Sequence, residues 1–159
     1  MVTFPMKFIA GLITLLIVSG CSVTTSELEA TPELKCQTSP FTGDATNSPP
    51  EIQGTASSGY LWVLLFNTPI QANQEVKLVW KMTAGSGMIR LVANDSNGKM
   101  VQPTWGPDAH VESSWQRPGQ EWGSGFIFPE SGCWHILATR ELLPQQETVT
   151  GEIILWVEP

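Results

Sequence analysis

The chain has 159 residues, 42% of them hydrophobic, with 8 basic against 15 acidic side chains and a net charge of −7. That balance argues against nucleic acid or an anionic membrane surface as a partner, because neither offers counter-charge to an acidic protein. The length fits one domain behind a leader, and seven tryptophans are enough to anchor one real core.

Residues 1–20 read as a signal peptide. Lys7 supplies the positive n-region, Phe8 to Val18 form the apolar h-region, and Ser19 and Gly20 are the small residues before Cys21. The apolar run is short against the ~20 residues that cross a bilayer, and polar sequence from Ser22 to Glu33 follows at once. Small-small-Cys is the pattern that bacterial lipoprotein processing recognises. The mature chain is therefore expected to begin at Cys21, with a diacylglyceryl group on its thiol and, in many bacteria, a further acyl chain on its amino group. Several chains anchor firmly where one binds only marginally. The expected location is the extracytoplasmic face of a membrane, held there by the lipid. Loss of residues 1–20 removes Lys7 and makes the mature chain more acidic still.

With Cys21 used for lipid, Cys36 and Cys133 remain as an even pair in an oxidising compartment, and a disulfide between them is expected. Residues 21–50 have linker composition, rich in Ser, Thr and Pro and without an apolar period. The disulfide should pin the stretch from Lys35 to Phe41 onto the body and leave about 15 residues after the lipid as a free tether.

Residues 51–159 change into short β-type runs punctuated by Gly, Pro, Asn and Asp, with no long helical period. Tyr60 to Phe66 is apolar on both faces and reads as a central strand. Glu75 to Met82 alternates, which predicts Val76, Leu78, Trp80 and Met82 on the core and the charged residues in solvent. Gly87 to Ala93 is followed by a hairpin turn at Asn94 to Gly98 and a return at Lys99 to Val101. Pro103 to Gly123 reads as loops around a short strand at His110 to Trp115. Gly125 to Phe128, Cys133 to Ala138 and Gly151 to Val157 complete the set, the last two as a hairpin joined by a polar loop from Arg140 to Thr150. Eight or so strands in this length predict an all-β, antiparallel β-sandwich, with immunoglobulin-like topology as the leading expectation.

Phe128-Pro129-Glu130-Ser131-Gly132-Cys133-Trp134 resembles the FP-x-x-GCW closing motif of a group of bacterial lipoproteins and secreted proteins that carry no assigned activity. Ser58 to Leu64 is similar to that group's G-aromatic-LW-x-x-L opening strand, and Lys77 to Lys81 falls where it has a K-V-x-W strand. His135 departs from the acidic residue common there, and the loop from Arg140 to Thr150 is longer. The resemblance implies a secreted β-sandwich and brings no catalytic residue.

Asp108, His110 and Glu112 recur at a spacing of two, so an extended strand would project all three from one face, as a weak candidate metal or general-base set. Pro107 and the abundance of acidic residues favour an ordinary solvent face, and no metal is expected. Cys133, His135 and Met88 or Met100 could mimic a copper ligand set, but an oxidised Cys133 cannot ligate. No G-x-S-x-G occurs, and two histidines are thin provision for an enzyme. No cofactor is expected. Trp62, Trp80, Trp134 and Trp156 lie in predicted strands and read as core. Trp105, Trp115 and Trp122 fall in or beside irregular sequence and are the candidate ligand-binding residues, as a stacking platform or partner anchor. The expected function is a non-catalytic, lipid-anchored binding module for an envelope or surface protein. A carbohydrate-binding module using the loop tryptophans is the alternative, and a metal-assisted enzyme comes third.

Overall fold

The computed structural model describes residues 36–42, 49–111, 113–142 and 147–159. The leader, Cys21, most of the tether and Glu112 lie outside them. Ten strands are present among the described residues: β1 (Glu51–Gln53), β2 (Thr55–Ala56), β3 (Leu61–Leu65), β4 (Glu75–Met82), β5 (Ser86–Asp95), β6 (Met100–Val101), β7 (Trp105–His110), β8 (Gln120–Ile127), β9 (Gly132–Leu142) and β10 (Glu147–Val157). They form two five-stranded antiparallel sheets packed face to face. The first has the order β1-β3-β4-β8-β7 and the second β2-β10-β9-β5-β6.

Alternation decides which side chains meet between the sheets. Leu61, Val63 and Leu65 from β3, Val76, Leu78, Trp80 and Met82 from β4, and Trp122 and Phe126 from β8 face Ile89, Leu91, Trp134, Ile136, Ile153 and Leu155 of the second sheet. The buried Trp80 indole donates to Ser124 Oγ at 2.8 Å, so that both polar groups are satisfied inside the core. Ser124 is thereby sealed away from any chemistry at the surface.

Chain direction gives the sandwich two distinct ends. β4 passes to β5 at one end, where the β9–β10 hairpin also turns; β8 passes to β9 at the other, where β10 finishes. Cys36 and Cys133 are joined at this second end, with Cα atoms 5.4 Å apart, as expected from their count. From there residues 36–42 run along the side of the body. Ser39 exchanges hydrogen bonds with Ile154 of β10 (2.9 Å each way), Pro40 accepts from Gln53, and Thr42 donates to Glu51 of β1. The strap thus joins the outer edges of both sheets. The turn after β5 also forms as expected, with Asp95 Oδ1 accepting from the Asn97 and Lys99 amides.

Five expectations are corrected. The irregular region is shorter than its Pro and Gly content implies: β7 already begins at Trp105, and β8 at Gln120. Trp122 is therefore a strand residue facing the core with Ser124 and Phe126, 2% exposed, and cannot be a surface ligand platform. Trp156 is the reverse case: Leu155 and Val157 take the inward positions of β10, leaving Trp156 outside and 49% exposed. The polar loop from Arg140 to Thr150 is in fact mostly ladder, since Arg140 pairs with Val149 and Leu142 with Glu147. Lys81, on the nominal solvent face of β4, is only 6% exposed.

Candidate functional site

Lys81 is buried because the outer face of the first sheet is roofed by its own chain. On that face the register sets Gln53, Trp62, Lys81, Glu121 and His110 in one row across five strands. Residues 113–117 lie over this row. Lys81 Nζ donates to the carbonyls of Trp115 and Arg117, lies 3.4 Å from Glu121 Oε2, and sits 5.2 Å from the centre of the Trp115 ring. Arg117 stacks over Trp62 at 5.5 Å, and Tyr60 covers the same indole at 5.2 Å. This roof explains why β3 is apolar on both faces.

Glu51 is the clasp of the roof. Its carboxylate accepts from Trp115 Nε1 at 2.7 Å, from Arg117 Nε and a terminal nitrogen at 3.1 and 2.6 Å, and from the Thr42 hydroxyl. Burial by itself pushes a carboxyl pKa up. Here the hydrogen bonds from Arg117, Thr42 and Trp115, with the guanidinium charge, outweigh it and hold Glu51 down at about 2, while Glu51 raises Arg117. A pKa lowered on folding stabilises the fold fully above the ordinary value of 4.5 and loses that effect as pH falls toward 2. The stabilisation at neutral pH is up to about 3 kcal/mol for a shift of this size. Acid titration of wild type should show a steep loss of stability between pH 4.5 and 2, and Glu51→Gln should flatten that slope; an unchanged slope would remove Glu51 from the acid response.

Trp105 lies on the same face, opposite Gly125. A Cβ at Gly125 would run into the indole, whose Cδ1 is 2.6 Å from that position, and one at Gly123 would come within 3.0 Å of His110 Nε2. Two glycines at alternate positions of β8 therefore make room for a tryptophan and a histidine lying flat across the strand. Gly106, at φ +73°, belongs to the register shift that turns β7 into this placement. Trp105 and Trp115 are both half-buried. The Trp115 N–H is bound by Glu51 and one ring face is taken by Lys81.

Asp108 and His110 do project from one face, opposite Gly123 and Glu121. His110 Nδ1 is 3.0 Å from Glu121 Oε1, a pairing that orients the ring. Among the described residues no three His, Cys, Asp or Glu side chains come together as a metal-binding group. Cys133 is occupied in the disulfide, and His135, on the outer face of the second sheet, bonds Glu152 at 2.8 Å.

Beside this row a cleft of about 610 Å3 opens at the end of the sandwich opposite the disulfide. Lys81, His110 and Glu121 supply its polar wall. Its rim is apolar, formed by Met88 at the start of β5 and by Val111, which is 98% exposed, just beyond β7. Behind Gln120 and Gly87, which line it, the buried Arg140 closes the core, donating to the carbonyls of Ala84 and Gly87 and to the Gln120 side chain, with its guanidinium 4.6 Å over Trp122. Burial lowers the Arg140 pKa. Sequence reasoning found Trp105, Trp115, Asp108 and His110 but missed Glu51, Lys81, Arg117 and Glu121. The alternate glycines 123 and 125 were the available signal that β8 carries large side chains across its outer face. No family model, no curated protein and no solved structure matches this chain.

Proposed function

We propose that the protein is a lipid-anchored, extracytoplasmic binding module without catalytic activity, which holds a segment of an envelope or surface protein in the cleft beside His110 and Glu121. The observation that carries this reading is the position of the cleft, at the end of the sandwich opposite the disulfide where the tether enters. A body anchored through Cys21 would present that end away from the bilayer. The apolar rim at Met88 and Val111 can exclude water around polar groups that fix register, which is the anatomy of a protein-binding pocket. The strand orders β3-β4-β8-β7 and β10-β9-β5-β6 support the immunoglobulin-like reading, because they reproduce the two-sheet order of that fold with one added edge strand. The GCW likeness around Cys133 supports the lipoprotein reading. The sugar-binding alternative rests on Trp105, since Trp122 is in the core and Trp115 is engaged with Glu51 and Lys81.

The test is crosslinking in intact cells, comparing wild type with Val111→Asp and with Cys21→Ser. We expect a partner crosslinked to wild type and reduced at least tenfold by Val111→Asp, a change too exposed to disturb folding. Cys21→Ser should release the protein from the membrane fraction. Equal capture by wild type and Val111→Asp would overturn the cleft assignment. Retention on cell-wall glycan that Trp105→Ala abolishes would put the sugar reading in its place.

A further inference from the structure

The two most solvent-exposed aromatic side chains at the tether end stand together. Phe41, 61% exposed, and Trp156, 49% exposed, flank an apolar groove of about 230 Å3 floored by Ile52, Leu65, Pro69 and Ile70. Large rings are normally withdrawn from water, and here the fold brings two of them out at one place. Phe41 is held there by its bridge to Ile52, and Trp156 by the alternation of β10. Trp156 is the direct cross-strand neighbour of Cys133, which binds Cys36. The chain that leads to the expected lipid therefore ends beside this groove.

We propose that this end seats on the bilayer surface, with Phe41 and Trp156 inserted at the level of the lipid headgroups. The inference rests on the lipid anchor at Cys21 proposed above. About 15 residues separate Cys21 from Cys36, and even fully extended a chain of that length spans at most about 50 Å. The groove is thus confined within reach of the membrane whenever the anchor is in place. Trp suits that boundary because its ring is apolar and its N–H stays in the wet layer. The charged group lining the groove is Glu158, so the contact is apolar and aromatic and calls for no anionic lipid. Membrane seating also sets the orientation of the whole body. The groove and the cleft lie at opposite ends of strands up to eleven residues long, so a body resting on Phe41 and Trp156 holds its cleft about 35 Å from the lipid.

The experiment uses the mature chain, residues 21–159, with the Cys21 thiol coupled to maleimide-bearing phosphatidylethanolamine in phosphatidylcholine vesicles. Coupling supplies the anchor chemically, so the result does not depend on lipidation in the cell. Lipidation is read separately, from the mass of the protein extracted from membranes, and an unmodified Cys21 there would sink the anchor reading alone. When the vesicle lipid carries bromine on its acyl chains, we expect tryptophan emission to be quenched in wild type. Trp156→Phe should abolish the quenching, Phe41→Ser should reduce it at least twofold with Trp156 still present, and Trp105→Phe should leave it unchanged. Absence of quenching, or quenching that survives Trp156→Phe, would overturn the proposal.

Discussion

Cys36→Ser combined with Cys133→Ser should lower the stability of the body by about 4 kcal/mol. The two cysteines are 97 residues apart in sequence, so their bond closes a loop that takes in nearly the whole sandwich. Cross-linking a loop of about a hundred residues removes chain entropy from the unfolded state worth roughly 4 to 5 kcal/mol. Urea unfolding with and without the bond checks this: the midpoint should fall and the slope m should rise, because the freed unfolded chain exposes more surface. The native contacts of the strap persist in the variant, since the hydrogen bonds of Ser39 with Ile154 and of Thr42 with Glu51 do not need the sulfurs. A loss below about 1 kcal/mol would mean that these contacts, rather than the unfolded-state entropy, carry the stabilisation.

Arg140→Ala should cost about 3 kcal/mol, for a different reason. The guanidinium is a buried cation with no carboxylate beside it among the described residues, and it is tolerated because three acceptors converge on it: the carbonyls of Ala84 and Gly87 and the Gln120 side chain. Alanine leaves these acceptors in place without a donor and opens a void under Trp122. Arg140→Lys is the informative companion. One ammonium cannot span acceptors contributed by the β4–β5 connection, by β5 and by β8 at once, so most of the loss should remain although the charge is kept. Thermal unfolding of both variants against wild type measures the two losses. Recovery of wild-type stability by lysine would show that charge, not the fork geometry, closes that end.

Much of this architecture could be read from the chain, and the parts that could not share a cause. β4 and β5 were legible because their inward residues alternate cleanly, and the turn at Asp95 because it carries Gly98 where positive φ is needed. Cys36 with Cys133 followed from counting. What failed were inferences that took polarity to mean solvent. Lys81, Arg140 and Glu51 are charged and buried, and Trp156 is apolar and exposed. Each of these depends on which segment lies across which face, and that is decided by residues far away in sequence: 113–117 for Lys81, 36–42 for Glu51, and the end of the β10 ladder for Trp156. A local pattern reports the period of a strand but not whether something covers its second face. The Gly123 and Gly125 pair shows the one route by which such cover leaves a trace in local sequence, since a large side chain crossing a neighbouring strand removes the Cβ atoms beneath it.

The bond between Cys36 and Cys133 also decides how the body answers a pull from its N-terminal side. If the body is held to a membrane as proposed, tension enters at Cys133, one residue into β9, and a load at the cleft acts on Met88 of the neighbouring β5. The ladder between β5 and β9, paired from Arg90 to Asp95, is then strained in shear, all together, instead of being opened one after another from a free tip. The disulfide thus places such a load on a whole ladder at once, and a contact made at the cleft would not be lost by peeling one strand from its end.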